Sequence, residues 1–163
     1  MKLTLTPLKK EDAAEVLDIF NYYIENTFAA YPERKLPPEF FDIFLVMSKG
    51  YPTVAARDEE NVLVGFGCLR PYNPMPAFLM TAEITYFIKP GFTRMGIGKV
   101  ILDNILDRAK KMGLHTILAN VSSRNPESIS FHLKNGFSQC AHFKEVGQKK
   151  DQSFDVIYFQ KIL

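Results

Sequence analysis

The segment Phe92-Thr93-Arg94-Met95-Gly96-Ile97-Gly98-Lys99 carries two glycines one residue apart, just ahead of a stretch with helical apolar spacing. A loop at a strand-to-helix junction aims several backbone N–H groups, and the positive end of the helix dipole, at one point. Gly96 and Gly98 let the backbone come close to an anion, and Arg94 and Lys99 add positive charge. The chemistry so implied is the binding of a phosphate or pyrophosphate. A second residue that could do chemistry is Glu83, an acidic side chain inside the apolar strand Thr81–Ile88. A carboxylate drawn out of water is a candidate proton acceptor, although an outward-facing glutamate paired to a neighbouring strand reads the same way.

Two familiar phosphate loops do not fit. The dinucleotide fingerprint G-x-G-x-x-G/A has Ile101 where its last small residue belongs. The G-x-x-x-x-G-K-[ST] loop has Thr93 in place of its first glycine and Val100 in place of its hydroxyl residue. Taken alone, the remaining G-x-G is either an anion cradle of another kind or a plain glycine turn before a helix.

These residues need elements to position them. Residues 2–6 alternate and read as a strand; Glu11–Glu25 spaces Ala14, Leu17, Phe20 and Ile24 as an amphipathic helix. Pro32, Pro37 and Pro38 mark a loop, followed by a short helix over residues 39–47. Strands are predicted at 53–56 and 62–69 around the polar turn Asp58–Asn61, and at 82–88 after a proline-broken loop at 71–76. A helix over 98–112 stops at Gly113, and a strand covers 116–121. Asn125-Pro126-Glu127-Ser128 is a helix start, with Asn at the cap and Pro in the first turn, and Asn135-Gly136 ends that helix. Strands at 138–146 and 154–161 follow, joined by a polar turn at 148–152. The order βααβββαβαββ predicts an α/β fold with one mixed central sheet flanked by helices, and residues 1–163 as a single domain.

Bulk properties narrow the function. The chain has 163 residues, 47% hydrophobic and 23% charged, with a net charge of +2. That charge is too small to suggest nucleic acid or a membrane surface, and no apolar run has the length of a membrane span. Cys68 and Cys140 are isolated, so neither a disulfide framework nor a metal site is expected, and a reducing, cytoplasmic location is.

The glycine loop, with its mid-chain strand-to-helix context, resembles the acetyl-CoA loop [QR]-x-x-G-x-[GA] of the GNAT superfamily of N-acetyltransferases. Gly96 and Gly98 match; Thr93 takes the usual Gln or Arg place and Arg94 lies one position later. Downstream, the run from Asn125 through Ser128 and His132 to Gly136-Phe137 resembles the family's second motif, N-x-x-[AS]-x-x-x-[YH]-x-x-x-G-F. Upstream, Thr81–Ile88 is similar to the strand T-[AV]-E-x-[ST]-[VI]-Y-[VI] of the phosphinothricin N-acetyltransferase-like branch. Asn21–Glu25, Tyr31, Glu145-Val146-Gly147-x-Lys149 and Asp155 echo further parts of that branch, so the likeness covers nearly the whole chain.

The resemblance implies acetyl-CoA as co-substrate and no metal. Thr93, Arg94, Met95, Gly96, Ile97, Gly98 and Lys99 would hold the pyrophosphate, and Asn125 and Ser128 would flank the pantetheine. A backbone N–H around Phe87 or Ile88 would meet the developing oxyanion. It implies Glu83 as general base, which a protonated amine with a pKa of about 10 requires, and His132 as the group near the departing sulfur. Taken without that likeness, a lone helical His is as readily structural, as are His115 and His142. Tyr31, Arg70, Tyr72 and Phe78 lie in loops or at strand ends, where they either line an acceptor pocket or cover the surface; an Arg there suits a carboxylate. A homodimer is expected from the branch. The expected acceptor is a small amino acid or analogue of the phosphinothricin, methionine sulfoximine or methionine sulfone type. A polyamine, an aminoglycoside, a protein N-terminus, or a non-catalytic acyl-CoA-binding module are the alternatives. The branch's last hairpin, G-x-K-F-G-x-W, is here Gly147-Gln148-Lys149-Lys150-Asp151-Gln152-Ser153, which leaves the acceptor open.

Overall fold

The computed structural model describes all 163 residues, Met1 to Leu163. Its strands are β1 (Thr4–Thr6), β2 (Thr53–Arg57), β3 (Leu63–Pro71), β4 (Thr81–Ile88), β5 (Thr116–Ser122), β6 (Ser138–Lys149) and β7 (Gln152–Ile162). Its α-helices are α1 (Ala13–Asn26), α2 (Phe41–Met47), α3 (Ile97–Lys111) and α4 (Pro126–Lys134). The element order is the one read from the sequence. All strands join one sheet in the order β1-β2-β3-β4-β5-β7-β6. Every neighbouring pair is antiparallel except β4 and β5, between which α3 forms the crossover that a parallel pair requires.

The helices are held to the sheet by their apolar stripes. α3 buries Ile97, Ile101, Leu102, Ile105, Leu106 and Ala109 in one cluster with Val54, Ala56, Ile84 and Ile117. α1 buries Val16, Leu17, Ile19, Phe20 and Ile24 in another, with Phe41 of α2 and with Ala55, Phe66 and Cys68 of the sheet. Val54 and Ala56 join the first cluster and Ala55 the second, so the two cores lie on opposite faces of β2, as the alternation of a strand dictates. Burying one Leu or Ile side chain contributes roughly 2 kcal/mol. Packing of this kind, more than helix propensity, holds α1 and α3 in place.

One expected element is corrected. The turn read at residues 148–152 shrinks to Lys150 and Asp151, because Gln148 pairs with Ser153 and Lys149 with Gln152. Both turn residues have positive φ, 52° and 57°. That conformation matches the twist of the flanking strands and lets a two-residue loop close the hairpin. Lys149 is wholly buried, and its Nζ donates to the carbonyls of Thr27 (2.8 Å) and Ala30 (2.6 Å). It thus ties the end of the hairpin to the loop after α1. Burial holds its ammonium below the usual lysine range, with the neighbouring Lys150 charge acting the same way.

Candidate active site

The sheet opens at its centre. β4 and β5 pair only at Thr81 with Thr116, Ala82 with Ile117 and Glu83 with Leu118. Beyond Glu83 the strands part, and residues Ile84–Ile88 and Ala119–Ser122 become walls of a cleft of about 990 Å3. The N–H of Lys89 donates to Val64 O at 2.8 Å. With Phe66 opposite Phe87 and Gly65 opposite Ile88, the antiparallel alternation assigns the Phe87 N–H to β3 and turns those of Tyr86 and Ile88 into the opening. Of the two residues expected near the oxyanion, Ile88 therefore has a free donor. Phe87 instead packs its ring against Phe20, Tyr23 and Phe66. The Ile88 carbonyl accepts from Tyr23 Oη at 2.7 Å, which anchors the strand end to α1.

The glycine loop lies at one mouth of this cleft, which Thr93, Arg94, Gly96, Gly98 and Lys99 line. None of the N–H groups from Thr93 to Lys99 donates to another part of the chain. Arg94 has φ 62° and Gly96 φ 82°. Such left-handed residues among right-handed ones curl successive N–H groups toward a common centre, an anion nest. The built loop fits a pyrophosphate on these grounds. Met95 points away into solvent, and the Ile97 side chain is buried in the α3 core, so each offers only its backbone. Arg94 pairs with Glu127 and Lys99 with Asp103 (2.6 Å).

On the far wall, Asn125 caps α4 by accepting from Ser128 N at 3.2 Å. His132, one turn further, is buried. Its Nδ1 lies 2.7 Å from the Ser128 carbonyl, which can only accept, so that nitrogen carries the hydrogen. Nε2 is then the acceptor of a hydrogen bond donated by Tyr86 Oη at 2.7 Å. Both nitrogens are satisfied, and Tyr86 lines the opening beside His132. Burial pushes the Tyr86 phenol up, so it stays a neutral donor.

Burial also lowers the His132 imidazole below the ordinary 6.5, against the opposing pull of the Ser128 carbonyl. Because the folded value is depressed, the unfolded chain takes up the proton first. The stabilisation is complete above 6.5 and is lost as the pH falls from there toward the folded value. The unfolding midpoint of the wild type should therefore drop as pH is lowered below about 6.5, and His132→Gln should flatten that slope. An equal slope in both proteins, measured by circular dichroism, would refute this.

At the other end of the opening is a cavity of about 400 Å3 lined by Tyr31, Arg70, Glu83, Asn120, Phe143, Val146, Val156 and Tyr158. Glu83 is buried and forms an ion pair with Arg70, which stands opposite it on β3. Tyr31 Oη donates to Asn120 Oδ1 at 2.9 Å, bridging the loop after α1 to β5. Loss of water pushes the Tyr31 hydroxyl up to about 12, and the Tyr158 hydroxyl moves the same way for the same reason. The polar groups around the ion pair are thus uncharged donors. Tyr72 and Phe78, also expected here, line neither cavity; they pack edge to face on each other at 5.8 Å in the exposed loop before β4.

Sequence reading did not single out Tyr86, Asn120 or Tyr158. For Tyr86 a signal existed, since the branch pattern has an aliphatic residue at that place and an aromatic one at the next. Asn120 and Tyr158 gave none, because they meet only through the pairing of β5 with β7.

A family model described as the acetyltransferase (GNAT) family matches residues 16–137. An L-methionine sulfoximine/L-methionine sulfone acetyltransferase of Salmonella typhimurium is 25% identical over 97% of this chain and 93% of its own length. The crystal structure of a GNAT superfamily phosphinothricin acetyltransferase from Sinorhizobium meliloti, in complex with AcCoA, matches with a TM-score of 0.94 and 25% identity, covering 100% of this chain and 89% of that one. That of a ribosomal-protein-alanine N-acetyltransferase from Brucella melitensis matches with a TM-score of 0.92 and 28% identity, over 98% of this chain and 99% of that one.

Proposed function

The chain belongs to the acetyltransferase (GNAT) family, and from that premise we propose that it acetylates the α-amino group of a small amino acid or amino-acid analogue, with acetyl-CoA as donor. The single observation that carries this reading is the Arg70–Glu83 pair at the point where β4 and β5 part. An α-amino acid presents a carboxylate and an amine on one carbon. A guanidinium beside a carboxylate is the complementary arrangement, because the Arg fork takes the carboxylate while Glu83 faces the amine. A polycation would instead favour an acidic wall, and the cavity offers Arg70. The names of the Salmonella and Sinorhizobium proteins support the same class of acceptor.

Acetyl-CoA supplies an acetyl group activated as a thioester. The N–H groups of the loop from Thr93 to Lys99 bind the pyrophosphate, and Asn125 and Ser128 flank the pantetheine arm. The Ile88 N–H meets the carbonyl oxygen as it becomes negative, a contact that commonly contributes about 3 kcal/mol. Glu83 accepts the amine proton through water. His132 lines the opening beside Tyr86, its Nε2 occupied by the Tyr86 hydroxyl, and it acts by holding that hydroxyl toward the departing sulfur. Tyr86→Phe is then expected to lower kcat roughly tenfold, the worth of one hydrogen bond, with the acetyl-CoA KM unchanged; stopped-time assays of both parameters check this. The resemblance to the phosphinothricin branch supports a homodimer of single-domain subunits.

The test of the acceptor class is CoA release, followed by thiol colorimetry, against a panel of amines. The panel holds methionine sulfone, methionine sulfoximine, phosphinothricin, common amino acids, spermidine, an aminoglycoside and a short peptide. Turnover with free amino acids or their analogues is expected. Turnover confined to spermidine, the aminoglycoside or the peptide would overturn the proposal.

A further inference from the structure

Arg70 and Glu83 meet through one nitrogen and one oxygen, Nη2 and Oε2, and neither side chain has another hydrogen-bond partner. The carboxylate side chain is 11% exposed and the guanidinium 32%. The remaining cavity walls are Tyr31, Asn120, Tyr158 and apolar groups, none of them charged. The Glu83 charge is therefore balanced by Arg70 alone, while the rest of the Arg fork is free to face the cavity.

A carboxylate in such a pair is turned to the guanidinium and not to an amine in the cavity. Turning it to the amine gives up a partly desolvated ion pair and leaves a guanidinium with no counterion. A second carboxylate brought to Arg70 changes that balance. It satisfies the guanidinium in place of Glu83, and so frees the Glu83 carboxylate to turn to the amine. We propose that Arg70 restrains Glu83 until the carboxylate of the acceptor takes the guanidinium, so that acceptors are selected at the proton-transfer step as well as in binding. This rests on Glu83 being the general base. Arg70 thus has two roles, holding the acceptor carboxylate directly and acting on proton transfer through Glu83. The steps balance: the ammonium gives one proton to Glu83 through water, the freed amine forms its bond to the acetyl carbon, and the C–S electron pair leaves with the sulfur, which takes up the second nitrogen proton.

The restraint makes a prediction that a mere carboxylate-binding role does not. With an accepted amino acid and its carboxylate-free counterpart, the decarboxylated amine, wild-type kcat at saturation should differ by roughly thirtyfold, and not only KM. Arg70→Gln should raise KM for the amino acid yet increase kcat for the carboxylate-free amine above wild type, by about tenfold. Arg70→Lys, which keeps the charge, should give no such gain. Thermal unfolding and calorimetric binding of acetyl-CoA verify that the variants are folded. Should Arg70→Gln not fold, the wild type itself answers: added propionate should accelerate acetylation of the carboxylate-free amine in a saturable way, whereas chloride at equal ionic strength should not. Equal kcat for both wild-type substrates, no gain in a folded Arg70→Gln, or no saturable effect of propionate overturns the proposal. Failure of the general-base reading looks different, because Glu83→Gln would then keep its turnover of the amino acid.

Discussion

Glu83→Gln is expected to reduce turnover by roughly a hundredfold or more while leaving acetyl-CoA affinity nearly unchanged. The substitution is close to isosteric, so the packing of β4 against β3 and β5 persists. The amide oxygen can still accept from Arg70, which keeps that guanidinium from being stranded. What disappears is the capacity to take a proton, and an amine with a pKa of about 10 is almost wholly protonated at neutral pH. The proposed donor-binding loop at Thr93–Lys99 offers backbone N–H groups from another part of the cleft, which Glu83 does not line. Calorimetry with acetyl-CoA and thiol-release kinetics with an accepted amino acid separate the two effects. A variant that retains wild-type turnover at neutral pH sinks the assignment of the base.

Gly147→Ala should lower both stability and acceptor affinity without touching donor binding. A Cβ at Gly147 would sit 2.2 Å from Cζ of Phe154 and 2.4 Å from its Cε2, far inside van der Waals contact. Phe154 is buried, packs edge to face on Phe28, and stacks on Tyr31 at 5.6 Å with 26° between the planes. The ring has to move, and Tyr31 moves with it. Tyr31 lines the proposed acceptor cavity and holds Asn120 across the opening, so a packing error on the hairpin should be transmitted to the acceptor. Overpacking of this kind costs about 1–3 kcal/mol, which in a chain of this size lowers the unfolding midpoint by roughly 3–10 °C. The acceptor KM should rise about tenfold, and the acetyl-CoA KM should stay as in the wild type. Adding Phe154→Leu should recover part of the lost midpoint by making room. An unchanged midpoint in Gly147→Ala would show that the ring does not hold this position.

The same hairpin explains why the altered residues Lys150–Ser153 leave its core intact. Gly147 is required by the Phe154 ring and Lys149 by the two carbonyls it ties down. Asp155 accepts from the N–H of Glu145, itself at φ 53°, and so fixes the irregular stretch of β6 that carries Phe143 and Val146 to the cavity. Lys150 and Asp151 close the turn, and Lys150 also donates from its Nζ to the Glu25 carbonyl and from its N–H to Glu33. The part of the branch signature that this chain keeps is the part that shapes the cavity wall.

What the sequence by itself determined is local. The apolar spacing of α1 and α3, the Asn125 cap with Pro126 behind it, and the paired glycines at 96 and 98 are set by backbone sterics and by neighbours within a turn or two, so each is legible from residue types alone. The order of elements along the chain, and a loop suited to cradle a pyrophosphate, follow from those features. What only the tertiary structure decided depends on partners far apart in the chain. The opening of the sheet exists because β4 and β5 stop pairing after Glu83. The Arg70–Glu83 pair exists because of the β3–β4 register. His132 read as an isolated polar residue on a helix, and it became a buried acceptor for a phenol 46 residues away. Lys149 read as part of a branch signature within a polar turn, and it became a buried tie. Residue type sets what a side chain can do, but burial and charge balance are sums over neighbours that only the packed sheet brings together.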